Sequence, residues 1–180
     1  MNWLGLYFSS LLAALLAILP IVNPFGAVPL VMSASGHLPE QERLRQIRRA
    51  CVYTFFLMSG FLVAVGLIMN FFGISLPGML IAGGLIVAFL GFQMLFPNPI
   101  SDKEAMTRAA GERYDIAFTP LAMPGLSGPG TFAVVMSLSS QAAARKGYVS
   151  IVDFMGVLTA ILLTALLSWF VLRGAERVNR

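Results

Sequence analysis

The sequence predicts an all-α membrane protein. Of its 180 residues, 58% are hydrophobic and only 11% are charged, whereas about a quarter of the residues of a soluble domain are charged. The charged residues are also clustered, because Met1–Gly36, Cys51–Phe96 and Ile116–Ala144 contain no Asp, Glu, Lys or Arg. A membrane-spanning helix needs about 20 mostly apolar residues, and each of these stretches is longer than that.

The hydrophobic pattern divides into five predicted transmembrane segments, which are Trp3–Ser35, Cys51–Phe72, Ile74–Phe96, Ile116–Gln141 and Tyr148–Leu172. The connections are Gly36–Ala50, a tight turn at Gly73, Pro97–Asp115 and Ala142–Gly147. We expect the second segment to start earlier than Cys51. The preceding residues form an amphipathic pattern with Glu40 and Glu42 near its start, as at helix N-termini. The N-terminus has no basic region of the kind that opens a signal peptide, so the first segment is expected to be retained.

The distribution of Lys and Arg predicts the orientation. Odd-numbered segments bring the chain to one side, which holds ten basic residues from Arg43 to Arg180, whereas the other side holds only Arg145 and Lys146. Basic residues accumulate on the cytoplasmic side. We therefore expect a multi-pass protein of a bacterial inner membrane with a periplasmic N-terminus.

The first segment contains residues that disfavour a helix in lipid. The stretch ILPIVNPFGAVPLVMS holds Pro20, Pro24 and Pro29 together with Asn23 and Gly26. Proline removes a backbone donor, and lipid cannot satisfy the groups that this frees. An unbroken helix from Met1 to Gly36 would also measure about 54 Å, against a hydrocarbon core of about 30 Å. We expect a break that faces protein or water, although a proline kink that serves only packing is the alternative.

A related stretch lies 104 residues further along. AMPGLSGPGTFAVVMS, from Ala122 to Ser137, matches the first stretch at five of sixteen positions. The two stretches lie in the first and the fourth segment, so they are expected to cross in opposite directions, as in the inverted repeats of transporters. The prediction is an incomplete 3+3 inverted repeat with helices 1 and 4 broken. Residues 1–96 form the first three-span repeat, 97–115 a cytoplasmic polar loop, and 116–180 a second repeat with two spans only.

Three stretches together resemble the MarC family of bacterial inner-membrane proteins. They are VNPFGAVPLVMS, ISLPGMLIAGGLIVAFLGFQMLFP and FTPLAMPGLSGPGT, and the resemblance extends from about Gly5 to Arg173. It implies six spans, of which the sixth has no counterpart after Arg180. Relatives of the family are grouped as small neutral amino acid transporters. The resemblance places the family motifs on two groups of residues, which are Asn23, Pro24 and Gly26, and Gly128, Pro129 and Gly130.

The expected function is secondary transport of a small neutral solute, with amino acids as the leading class. The two breaks would supply backbone groups, and Asn23 and Ser127 would orient the solute, with Thr131 as a further candidate. Each of these side chains could instead cap a half-helix. The alternative function is a non-transporting structural or regulatory membrane partner.

Other chemistry has little support in the sequence. It contains no HExxH, GxSxG or Walker motif, and one His and one Cys do not form a metal site. We therefore expect no enzyme, no cofactor and no metal. The expected partners are the lipid bilayer and a small polar solute but no nucleic acid, and assembly with further copies of the chain is left open. Asp153 is the acid inside a hydrophobic segment, with an interfacial position or a proton-coupling or entrance role as the alternatives.

Overall fold

The computed structural model describes residues 3–35, 38–73, 75–95, 116–144 and 148–178. Within these ranges the regular structure is entirely helical, as predicted. The helices are α1 (Trp3–Val22), α2 (Ala27–Ser35), α3 (Glu40–Phe72), α4 (Leu76–Leu95), α5 (Ala117–Leu126), α6 (Pro129–Ala144) and α7 (Tyr148–Val178). Three stretches of the described helices are long and apolar enough to cross a membrane, namely Trp3–Val22, Glu40–Ala64 and Ile151–Ala175.

Helix α3 confirms and extends the prediction of an early start. It runs without interruption from Glu40 for 33 residues, with Glu40 and Glu42 in its first turn, where acidic side chains interact favourably with the helix dipole. Most of the predicted connection 36–50 is therefore helix. The predicted turn at Gly73 is confirmed by its φ of +63°. Helix α4 follows, and its first turn is capped by the Ser75 hydroxyl, which accepts a hydrogen bond from the Gly78 N–H at 3.3 Å.

Two predicted boundaries were wrong by several residues. Helix α6 continues to Ala144 and α7 continues to Val178, beyond the predicted ends at Gln141 and Leu172. Leu172 directly precedes a charged residue, whereas Gln141 precedes three alanines. Alanine, arginine and glutamate all favour helix regardless of polarity. The polar loop 97–115 and the basic pair Arg145 and Lys146 lie outside the described residues.

The first crossing is interrupted but does not reverse. On α1, the Tyr7 hydroxyl donates a hydrogen bond to Thr159 Oγ1 of α7 at 3.0 Å. On α2, Val28 and Met32 line a groove together with Phe170 and Gly174 of α7. The residues of α7 that are contacted therefore lie closer to its C-terminus for α2 than for α1. Helices α1 and α2 therefore run in the same direction along α7 and do not form a hairpin.

Helices α3, α5 and α6 run against this direction. Residues near the start of α3, such as Arg48, lie beside Trp169 of α7, and Phe55 further along lies in the same groove as Leu162, so α3 and α7 are antiparallel. Helix α5 and then α6 follow α3 in its own direction, because the Tyr53 ring meets Phe118 at 5.9 Å and the Phe61 ring stacks on Phe132 at 4.1 Å. The segment with the second break therefore runs opposite to the segment with the first.

Close packing joins α1 to α7 at Gly156. A methyl group added there would lie 3.0 Å from Ser10 Cβ, 3.2 Å from the Leu11 nitrogen and 3.3 Å from the Tyr7 carbonyl oxygen. Small residues at helix contacts in membranes let two backbones approach closely. The absence of a side chain at Gly156 thus sets the distance between α1 and α7.

We expect Gly156→Ala to destabilise the protein by about 1–2 kcal/mol, because two neighbours of the added methyl are backbone atoms that move only with the helix. Gly60→Ala is the matched control, since nothing lies within 4 Å of its added methyl. That variant should be neutral or more stable by up to about 1 kcal/mol from helix propensity. Thermal unfolding in detergent micelles measures the stability of both variants. Equal destabilisation by Gly156→Ala and Gly60→Ala would contradict the packing argument.

Candidate solute site at two helix breaks

The first break depends on Asn23, which ends α1 and caps α2. Its φ of +40° lies in the left-handed region, which Asn tolerates better than most residues. Its N–H still bonds to the Leu19 carbonyl at 3.0 Å, and its own carbonyl accepts the Ala27 N–H at 3.1 Å. The side-chain Oδ1 accepts the Gly26 N–H at 3.1 Å. The capping role considered for Asn23 is therefore confirmed.

The neighbours of Asn23 fit this turn closely. Pro24 is buried and stands at the first position after the cap, where a missing N–H costs nothing. Gly26 is exposed, but an added methyl would lie 2.9 Å from Asn23 Cγ, so only glycine leaves room for the capping amide. Pro29 cannot donate to the Phe25 carbonyl, and the Val28 N–H bonds there instead at 3.2 Å.

The second break follows from two prolines in α5. Pro120 cannot donate to the Ile116 carbonyl, so the Leu121 N–H takes that position at 3.2 Å, and the turn widens by one residue. The residues before the prolines, Thr119 and Met123, have φ and ψ near −125° and 122° and near −131° and 118°. Extended backbone is what a following proline imposes. A second wide turn closes α5, since the Ser127 N–H bonds to the Ala122 carbonyl at 2.7 Å.

Ser127 lies at the end of this turn with an unsatisfied side chain. Ser127 is 0% exposed, and its Oγ has no hydrogen-bond partner among the described residues. The hydroxyl therefore caps neither α5 nor α6 and does not bond to Asn23. Thr131 is also buried, and its hydroxyl reaches the Leu126 carbonyl only at 3.5 Å.

The glycines and proline of the second motif form the start of α6. Gly128 is half-buried and its carbonyl accepts the Phe132 N–H at 3.2 Å. Pro129 is exposed as the first residue of the helix, and Gly130 is buried. The helix packing brings the two broken segments into contact, because α2 packs on α5 and α1 packs on α6.

Comparison with known proteins agrees with the sequence motifs. The model of the MarC family, described as MarC family integral membrane protein, matches residues 8–180. The chain belongs to the MarC family. The resemblance inferred from the sequence is thereby confirmed.

Curated relatives of this MarC-family chain carry the name inner membrane protein MarC. The protein from Citrobacter koseri is 39% identical over 185 residues, which cover 96% of this chain and 81% of the relative. The proteins from Salmonella typhimurium and Escherichia coli strain UTI89 are 37% and 36% identical over 179 residues, with the same coverage. These names support a bacterial inner-membrane location. No solved structure matches the chain.

Asp153 of this MarC-family chain lies in the contact between α7 and α1. It is 5% exposed, and the Ser10 hydroxyl donates a hydrogen bond to its Oδ1. The bond from Tyr7 to Thr159 lies close by on the same pair of helices. The carboxylate is therefore packed between two helices, and the choice between an interfacial position and a proton-coupling or entrance role stays a prediction.

Within the described part of the chain, sequence reasoning missed two further unsatisfied hydroxyls, those of Thr54 and Ser59. Thr54 is 0% exposed and its Oγ1 has no hydrogen-bond partner among the described residues. It lies on the buried face of α3 with Ile47, Met58 and Leu62. The helical spacing of these positions could have identified the face, but not that the hydroxyl would fail to bond to its own helix, as Thr164 does to the Ala160 carbonyl.

We expect Asn23→Ala to cost about 1–2 kcal/mol, because it removes the cap and places a methyl-bearing residue at positive φ. Asn23→Gly keeps the backbone conformation and should cost only a few tenths of a kcal/mol. Gly26→Ala should resemble Asn23→Ala, since it displaces the capping amide. Thermal unfolding of the three variants tests this order, and equal losses for Asn23→Ala and Asn23→Gly would contradict it.

Proposed function

We propose that this chain is a secondary transporter of a small neutral solute, with amino acids as the leading class. The observation that carries the proposal is the Ser127 hydroxyl, which is fully buried and unpartnered at the break between α5 and α6. A buried hydroxyl without a partner costs about 1–3 kcal/mol. A polar solute that enters the break would supply the missing hydrogen bond and recover that cost.

The chemistry around the break favours a solute that is neutral overall. The N-terminus of α6 presents the N–H groups of its first turn, and helix N-termini attract carboxylates. Neither Met1–Gly36 nor Ile116–Ala144 holds a charged side chain, so the two broken segments themselves offer no counter-ion for a net charge. A zwitterion with a small side chain fits this combination. Asn23 of the first break and Ser127 and Thr131 of the second would orient it.

The architecture that we propose is five spans arranged as an incomplete inverted repeat. Helix α4 is 20 residues long and free of charged residues, which suits a fourth span beside the three long apolar helices. The contacts of α1 with α6 and of α2 with α5 pair the first half of one broken crossing with the second half of the other. Broken helices that meet in this antiparallel manner form substrate sites in transporters.

We expect Ser127→Ala to lower solute exchange at least tenfold and to leave the free energy of unfolding unchanged or raised, because it deletes an unsatisfied group. Ser168→Ala is the matched control. Ser168 is equally buried, but its hydroxyl bonds to the Thr164 carbonyl of its own helix at 2.8 Å. Counterflow of labelled glycine, alanine and serine in proteoliposomes measures exchange, and thermal unfolding measures stability.

Two results would contradict the proposal. Exchange no faster than in protein-free vesicles, with correctly folded protein, would favour the non-transporting membrane partner. Equal losses of exchange for Ser127→Ala and Ser168→Ala would remove Ser127 from the site.

The proposed orientation has the N-terminus in the periplasm. The bias of ten basic residues against two places residues 36–39 in the cytoplasm and 145–147 in the periplasm. Alkaline phosphatase fused after Gly147 should be active, whereas fusion after Ser35 should be inactive. Replacement of Arg145 and Lys146 by Gln should leave this pattern unchanged, and activity in the second fusion would reverse the proposed orientation.

A further inference from the structure

The outer surface of the α3 and α7 pair contains an open groove, called here the α3–α7 groove. Its volume is about 390 Å³, and its lining outside Arg48 and Trp169 is apolar: Cys51, Val52, Phe55, Phe56, Leu162, Ala165 and Leu166. Cys51 and Ala165 are buried at its floor, whereas Phe56 is 64% exposed at its edge. The groove runs along both helices from Arg48 to Phe56, a distance of about 12 Å.

One end of the groove is strongly basic. A second depression of about 290 Å³ adjoins it and shares Arg48 and Trp169, with Arg45 and Arg173 also in its lining. These positions lie near the start of α3 and the end of α7, where both helices pass from apolar to polar sequence. The guanidinium groups of Arg45, Arg48 and Arg173 thus lie together at one end of the apolar α3–α7 groove.

The surrounding groups leave this end positively charged. Arg45 is paired with Glu42 at 3.7 Å, while Arg48 is exposed and has no ion pair within the described ranges. The Arg173 guanidinium lies 5.0 Å from the centre of the Trp169 ring. A cation over an aromatic face is held in position and keeps its outer N–H groups free, and Trp is typical of the level of lipid headgroups.

We propose that the α3–α7 groove binds one anionic phospholipid. The phosphate would lie between Arg48 and Arg173, and an acyl chain would lie along the apolar floor. Guanidinium groups match phosphate geometry with paired N–H donors, and basic pockets between membrane helices bind anionic headgroups. A free anion would leave the apolar groove unused, and a zwitterionic lipid would add a cation beside the arginines. The site is separate from the helix breaks and does not depend on transport.

The test uses the full chain, purified in a mild detergent and freed of lipid. Native mass spectrometry would measure binding of phosphatidylglycerol and of phosphatidylcholine with the same acyl chains. We expect phosphatidylglycerol to bind at least tenfold more tightly. Arg48→Gln should weaken its binding about fivefold, which corresponds to about 1 kcal/mol for one basic residue at an anionic surface, and should leave phosphatidylcholine unchanged.

Arg49→Gln is the matched control, because it removes the same charge from the next residue of α3, which does not line the groove. It should change the affinity for phosphatidylglycerol less than twofold. Equal losses for Arg48→Gln and Arg49→Gln would overturn the proposal in favour of general charge attraction. Equal affinity for the two lipids would overturn it as well. Competition by glycerol phosphate as strong as that by the whole lipid would show that the acyl chain is not bound.

Discussion

The structure depends on one constraint, which is that every backbone donor and acceptor inside a membrane needs a partner. Prolines in the first and fourth predicted segments remove donors, and at Pro29 and Pro120 a neighbouring N–H replaces the missing one. The Val28 N–H donates to the Phe25 carbonyl in place of Pro29, and the Leu121 N–H donates to the Ile116 carbonyl in place of Pro120. The first turn tightens and the second widens, and both replace a backbone hydrogen bond that a proline cannot make. The breaks are therefore ordered structures, and their positions are set by covalent chemistry.

The two breaks differ in how completely they satisfy themselves. The Asn23 side chain accepts a hydrogen bond within the first break, and the absence of a side chain at Gly26 leaves room for that amide. The second break leaves Ser127 buried and without a partner among the described residues. This asymmetry makes the second break the more suitable place for a polar solute, because a hydrogen bond is still available there. The first break joins α1 to α2 along α7, with the Asn23 Oδ1 already bonded to the Gly26 N–H.

The sequence allowed much of this to be predicted, for identifiable reasons. The break at Asn23–Gly26, the turn at Gly73 and the early start of α3 all depend on residues that act within one or two turns of themselves. Membership of the MarC family was also readable from the motifs. Helix ends at Ala144 and Val178 were missed, because helix propensity extends α6 through its last alanines and α7 past the polar residues that follow Leu172. Thr54 was missed because helical spacing indicates a buried face but not whether a hydroxyl on it finds a partner. Ser10 was missed because its partner, Asp153, lies far along the chain.

The sequence by itself determined that two segments are interrupted, which segments are apolar and to which family the chain belongs, since these follow from local chemistry and composition. The tertiary structure decided that α1 and α2 continue in one direction along α7, since direction depends on contacts with residues far along the chain. It also decided that Asp153 meets Ser10 and that Arg48 and Arg173 line the same depression beside the α3–α7 groove. Burial and pairing of polar groups are properties of neighbouring helices, and a linear pattern contains no record of which helices become neighbours.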